Sequence, residues 1–294
     1  MATLETITSA ANPLIKRVRS LADRRYRSRG GAFVVEGVQP VWRAIEAGWE
    51  IEALLVVPSR LTESARDMVA GQVAAGVRAV ELAERLAARL AERDAPPGLL
   101  AVVRSRAMSL GRLTPQPDSV FVALHRVANP GNLGAVVRTA DAVGAAGVIL
   151  VGDTADAYAP AAVKASMGSL FAVPVVGVKD ADALFDWATA RGVTVVATSG
   201  YAERSHWAVS YPLPVVVLLG SEGEGLPADA LTRADHVVRI PMTGTAESLN
   251  LAVAAALMLY EVRRPAWEAR PPRPPAGPSR SSQDGQPSRG QPHG

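Results

Sequence analysis

The chain has 294 residues, 48% of them hydrophobic and 20% charged, with a formal net charge of +3. That length suggests about two domains around real cores, and no run approaches the roughly 20 apolar residues of a membrane span. The absence of cysteine excludes disulfides, thiolate metal sites and cysteine nucleophiles.

The N-terminus, MATLETITSAANPLIKRVRS, has no apolar stretch behind a basic start, so it reads as cytoplasmic rather than as a signal peptide. Residues 1–107 read as a small α/β unit. Phe33–Glu36, Ala53–Val57 and Leu99–Val103 are its strands, and Val38–Ala47, Glu63–Ala75 and Glu81–Arg93 its helices. Lys16, Arg17, Arg19, Arg24, Arg25, Arg27 and Arg29 cluster near its start with one acid among them, a composition suited to RNA phosphates or to a solvated helical face. The basic surplus lies on the flanks of the chain, which leaves its middle for chemistry. Residues 108–117 carry two prolines and polar turns and read as a linker.

From 118 to 265 the pattern becomes strand–helix alternation. The strands are Val120–Leu124, Val148–Val151, Val173–Val178, Val193–Thr198, Val215–Leu219 and Val237–Ile240. The helices are Leu133–Val143, Pro160–Leu170, Ala181–Arg191, Ala228–Ala234 and Ser248–Val262. Near-continuous Val/Ile/Leu runs imply strands buried on both faces, hence a parallel sheet covered by helices. Residues 266–294, rich in Pro, Gly, Ser and Arg, cannot bury enough surface to offset their ordering entropy and read as disordered. The four histidines, His125, His206, His236 and His293, stand in no metal-ligand spacing, so no metal is expected.

A dinucleotide-binding reading fails, because the first of these strands is followed by HRVANPGNLGAVVRT and not by GxGxxG. Three other segments carry the chemistry. In Asn129–Thr139, Asn132 is placed to cap a helix on which Arg138 follows; alone, this is a cap and a surface arginine. In Leu218–Pro227, three glycines within six residues follow the most apolar strand and permit close backbone approach to a ligand, with Glu222 among them. Ile240–Leu251 is a polar loop entering an apolar helix. Capping would explain Ser248, but Asn250 inside an apolar run needs a partner.

In this order and spacing the segments resemble the SpoU/TrmH branch of the SPOUT RNA methyltransferases, matching NxGxxxRT, GxExxGL and IPMxGxxESLN over about residues 118–262. The N-terminal stretch, ITSAANPLIKRVRSL followed by FVVEGVQPVWRAIEAG, is similar to that family's L30e-like substrate-binding domain. Within the family the architecture is nearest the ribosomal RNA 2′-O-methyltransferases, including the avilamycin and thiostrepton resistance enzymes. The resemblance implies an α/β fold with a trefoil knot, a homodimer whose sites are completed across the interface, and S-adenosyl-L-methionine held by loop backbone. The implied cofactor residues are Leu219, Gly220, Gly225, Ile240, Met242, Ser248 and Leu249. Asn132, Glu222, Ser248 and Asn250 would hold Arg138 and the nucleotide. Arginine stays protonated in proteins, so proton acceptor and anion clamp both stay open as roles for Arg138. Leu251-Ala252 follow Leu249-Asn250 where the family more often has Val-Ser, which leaves fine active-site detail open. The implied substrate is 23S rRNA, and resistance to a ribosome-targeting antibiotic is among the roles the resemblance includes; a tRNA 2′-O-methyltransferase and a non-catalytic RNA-binding protein of the same fold are the alternatives.

Overall fold

A computed structural model describes residues 4–90 and 98–269. Its first unit contains β1 Glu5–Ile7, α1 Pro13–Ser20, α2 Arg24–Gly30, β2 Ala32–Glu36, α3 Val38–Glu46, β3 Ile51–Val56, α4 Glu63–Ala74, β4 Arg78–Leu82, α5 Glu84–Leu90 and β5 Leu99–Arg104. The sheet order is β1-β4-β3-β5-β2, with β5 antiparallel to both neighbours. Three elements, β1, α1 and α2, go beyond the sequence reading. Asn12 caps α1 by accepting from the Leu14 amide at 2.9 Å, and Asp23 caps α2 from Arg25 at 2.7 Å. The helix expected over Glu81–Arg93 is corrected. Arg78–Leu82 is a strand between β1 and β3 with Val80 and Leu82 in the core, and a helix follows only to Leu90. Residues 91–93 lie outside the described residues.

The second unit contains β6 Val120–His125, α6 Pro130–Ala142, β7 Gly147–Val151, α7 Pro160–Ser166, β8 Val175–Val178, α8 Ala181–Ala190, β9 Thr194–Thr198 and β10 Arg204–Ser205. It continues with β11 Val215–Leu219, α9 Ala228–Arg233, β12 His236–Arg239 and α10 Leu251–Glu268. Its seven strands run in the order β10-β12-β9-β11-β6-β7-β8, and every pairing is parallel. Every residue of β7 and β11 is buried, as a sheet covered on both faces requires. Helix α7 ends four residues before the expected Leu170, because Met167 and Gly168 turn left-handed at φ 50° and 91°. Leu113, in the expected linker, is buried in this unit's core. Helix α10 runs past the expected Val262, through Pro265, to Glu268. Arg264 bonds Glu261 and Glu268 there, and Tyr260 meets Trp267 edge-on. Residues 266–268 are therefore helical, and the rest of the expected disordered tail, from 270, lies outside the described residues.

Gly134 of α6 faces α7 so closely that a Cβ would stand 2.3 Å from the Ala162 carbonyl oxygen and 2.7 Å from the Ala165 Cβ. Alanine would gain about 1 kcal/mol of helix propensity, but overpacking against backbone costs about 3 kcal/mol. Gly134→Ala is therefore expected to lose about 2 kcal/mol net in urea unfolding. A midpoint equal to wild type would show that the two helices can separate freely.

The units share one apolar core, in which Phe33 and Trp49 of the first meet Tyr158 and Phe171 of the second. Polar bonds frame this joint. The Trp49 indole donates to the Phe171 carbonyl at 3.2 Å, and the Arg27 Nε–H donates to Asp156 at 2.8 Å.

Candidate active site

Parallel strands deliver their carboxyl ends to one edge, and the loops leaving β9, β11 and β12 enclose a cavity of about 480 Å³ there. Its first wall is the glycine-rich segment after β11. Ser221 and Gly225 exchange backbone hydrogen bonds at 3.2 Å, and the left-handed Gly225 (φ 69°) turns the chain back over Gly220. A second wall comes from Ile240, Met242, Ser248 and Leu249 ahead of α10. The third, Thr198, Ser199, Gly200 and Tyr201 after β9, is absent from the sequence reading. Its signal was a polar turn ending a strand, but only the sheet order reveals that β9 lies beside β11. Tyr201 is 99% exposed at the mouth.

All seven residues expected at the cofactor, Leu219, Gly220, Gly225, Ile240, Met242, Ser248 and Leu249, line this one cavity, as does Glu222. The cavity combines apolar side chains, hydroxyls and three carboxylates, Glu222, Glu224 and Glu247. A larger groove of about 630 Å³, beside Trp42, Arg43, Glu46 and Phe171, carries none of the motif residues.

Asn132 and Asn250 are placed differently from expectation. The cap of α6 is Asn129, whose side chain accepts from the amides of Gly131 and Asn132. Pro130 then occupies the first helical position, where its missing N–H costs nothing. Asn132 is thereby freed for a side-chain bond. Asn250 is not inside a helix but caps α10, accepting from Ala252 N at 2.9 Å.

With those caps set, a directed chain forms. Asn250 Nδ2 donates to Asn132 Oδ1 at 3.0 Å, and Asn132 Nδ2 donates to Glu222 Oε1 at 2.9 Å. Because the Glu222 oxygen takes the Asn132 amide N–H, the Asn132 carbonyl oxygen is turned towards Asn250, and the orientation of one amide fixes the next. One residue from each motif is thus tied into a single strip beside the cavity.

Arg138 is not brought to it. It is exposed on α6, does not line the cavity, and makes no hydrogen bond or ion pair among the described residues. Six residues beyond Asn132, it is displaced by about 9 Å along the helix and roughly 120° around it. At the end of β6, burial pushes the His125 imidazole below its ordinary value, and the charge of Arg126 adds to the shift.

The N-terminal basic cluster is also divided. Arg27 is 6% exposed, bonded to Asp156 and to the carbonyls of Leu21 and Ala22, and so is removed from the expected RNA surface. A buried arginine needs its donors satisfied internally, and these bonds do that. Arg17 pairs with Glu52, and Arg24 with Asp153 at 3.6 Å. Lys16, Arg19, Arg25 and Arg29 are exposed without an ion pair among the described residues, beside the half-exposed Tyr26.

The model of the SpoU rRNA Methylase family matches residues 119–260, and that of the MRM3-like substrate binding domain matches residues 12–101. A 23S rRNA (uridine(2479)-2′-O)-methyltransferase of Streptomyces viridochromogenes is 37% identical over 251 residues, 83% of this chain and 86% of that protein. The chain belongs to the SpoU rRNA methylase family. Among solved structures, the AdoMet-bound rRNA methyltransferase from Sinorhizobium meliloti superposes with a TM-score of 0.82 at 37% identity, covering 88% of this chain and 97% of that one. The SpoU methyltransferase AviRb from Streptomyces viridochromogenes, in complex with AdoMet, gives 0.79 at 36%, covering 88% and 100%. The likeness covers residues of both units.

Proposed function

We propose that this protein transfers the methyl group of S-adenosylmethionine to a ribose 2′-hydroxyl of 23S rRNA, acting in the cytoplasm as a homodimer. The observation that carries the reading is the cavity. Residues from two separate motifs line it, and the Asn250–Asn132–Glu222 chain borders it. The 23S rRNA relative and the AdoMet-bound neighbours support the substrate and cofactor. Among the described residues no helix is long and apolar enough to cross a membrane.

The residues suit the cofactor. Leu219, Ile240, Met242 and Leu249 offer apolar contact to a flat base, the loop after β11 offers backbone amides, and nearby carboxylates complement a cation. When bound, S-adenosylmethionine supplies an activated methyl on a sulfonium. The chain's own contribution is alignment. Orienting the ribose removes the entropy of a bimolecular encounter, which can be worth several powers of ten in rate. Asn132, Glu222, Ser248 and Asn250 are assigned to hold the nucleotide in line. Arg138 is assigned to the anionic charge near the reacting oxygen, in the pocket of the partner copy, since it stands away from its own. The trefoil knot belongs to the same proposal; β12 passes β9 to its far side before α10 returns to α6, which supports it. The division into a substrate-binding unit to 107, a linker and a catalytic unit from 118 is proposed with it.

Helix α10 supports the dimer. It buries Leu251, Ala255, Met258, Leu259 and Val262 on one side, yet leaves Val253, Leu257, Tyr260 and Trp267 between 39 and 49% exposed on another. Leu257→Glu is expected to turn the dimer into a monomer in light scattering and to lower turnover more than about tenfold, because a lone charge cannot be buried in an apolar interface. A dimer of undiminished activity would place the interface elsewhere.

The deciding experiment incubates the protein with labelled S-adenosylmethionine and, separately, unmodified 23S RNA, 16S RNA and bulk tRNA, then maps alkali-resistant linkages. Label at one position of 23S RNA is the expected result, and that position tells whether the mark lies in a drug-binding site. Label on tRNA would keep the chemistry and overturn the substrate. No label on any RNA, with cofactor bound, would favour a binding protein.

A further inference from the structure

Arg126 follows the last residue of β6 in a left-handed conformation, φ 52°, which L side chains other than Asn and Asp rarely adopt. Its neighbours hold it there. The Arg126 amide donates to the Val151 carbonyl at 3.0 Å, and the Val127 carbonyl accepts from Ala155 N at 2.7 Å. Glycine would take such a turn without strain, so the backbone conformation does not call for a side chain here. What arginine adds is a guanidinium on the rim of the site.

That side chain is steered. Its stem crosses Gly152, where a Cβ would come within 3.3 Å of the Arg126 Cγ. Its head reaches Glu224 of the glycine-rich loop at 3.7 Å, two residues from the Glu222 that holds Asn132. Both partners are open to solvent, at 60 and 83% exposure. Such a pair contributes little and is readily exchanged for a bidentate phosphate.

The surroundings point the same way. Segment 152–156, whose Gly152 lies against the Arg126 stem, is also where α2 docks. Arg24 donates to the Thr154 carbonyl at 3.3 Å and pairs with Asp153, and Arg27 pairs with Asp156. The exposed cations of α2 and Arg126 therefore flank one short loop, and beyond Arg126 lies the cavity.

We propose that Arg126 is a positioning residue for the RNA: its guanidinium takes a backbone phosphate beside the nucleotide to be methylated, releasing Glu224, and so links the grip of α2 to the pocket. This rests on the methyl-transfer reading above. Arg126→Gly is the test, because it removes the guanidinium while relieving the backbone. RNA affinity should fall roughly tenfold at about 0.1 M salt, and the slope of log affinity against log salt should flatten by about 0.7 to 0.9. The loss should appear in KM for RNA, while affinity for S-adenosylhomocysteine and thermal stability hold. Glu224→Gln should keep the wild-type slope. Wild-type affinity and slope in Arg126→Gly would overturn the proposal, as would an equal loss in Glu224→Gln, which would mean that the pair only shapes the loop. Binding is measured without turnover, so wild-type protein that binds RNA but labels none would sink the function above and leave the slope to decide Arg126.

Discussion

Replacing Arg138 by alanine is expected to lower kcat by about 10³-fold or more, the scale of losing a preorganised charge at a reacting oxygen. That corresponds to about 4 kcal/mol of barrier. The melting temperature and the affinity for S-adenosylmethionine should stay at wild-type values. Both halves follow from the position of the residue. Arg138 is exposed, bonds nothing among the described residues and does not line the cavity, so neither folding nor the cofactor depends on it. Surface changes of that kind usually stay within about 0.5 kcal/mol.

Mixing variants tests where Arg138 acts. In a mixture of Arg138→Ala and Glu222→Ala subunits, about half the dimers are mixed, and each has one pocket with both groups if the arginine crosses the interface. About a quarter of wild-type activity should then return. If arginine serves its own pocket, neither pocket is complete and nothing returns. Arg138→Lys separates the roles further. A charge clamp should recover part of the rate, whereas a role needing the planar two-pronged group should not.

Much of the architecture was legible because burial writes itself into composition. Val215–Leu219 could only be a strand covered on both faces, and it lies at the middle of the seven-stranded sheet. Arg78–Leu82 was lost because the helix-forming ERLAARL follows directly and masks a strand of five residues. Cap positions were misplaced by local ambiguity. Asn129 and Asn132 both precede the apolar stretch, and only Pro130 at the first helical position decides between them. The cavity walls after β11 and before α10 could be read because each is contiguous in sequence. Pairings across the fold could not. Asn132 meets Glu222 from 90 residues away, and Arg27 turns inward to an Asp156 129 residues distant. Nothing in a run of arginines says which one will find such a partner.

Gly220→Ala is expected to weaken S-adenosylmethionine binding by 100-fold or more, roughly the loss of about 3 kcal/mol. The reason is steric. A Cβ at Gly220 would stand 2.1 Å from the carbonyl carbon of Gly225, 2.4 Å from its oxygen and 2.5 Å from the Leu226 nitrogen. These are backbone atoms at the far end of the same loop, held by the Ser221–Gly225 bonds, and no rotamer change moves them aside. The loop must open, and with it one wall of the cavity. Its neighbours provide the scale. Gly223 has open space around it and no positive φ, so alanine there should bind the cofactor as wild type does. Gly225 also has space but sits at φ 69°, so alanine should cost about 1 kcal/mol of strain and weaken binding only severalfold. Titration calorimetry across the three variants should therefore rank them 223, 225, 220 in increasing damage. Equal affinities would mean that the cofactor does not use this loop. Damage at 223 matching that at 220 would mean that the loop's freedom to move, rather than its closed shape, is what the cofactor needs.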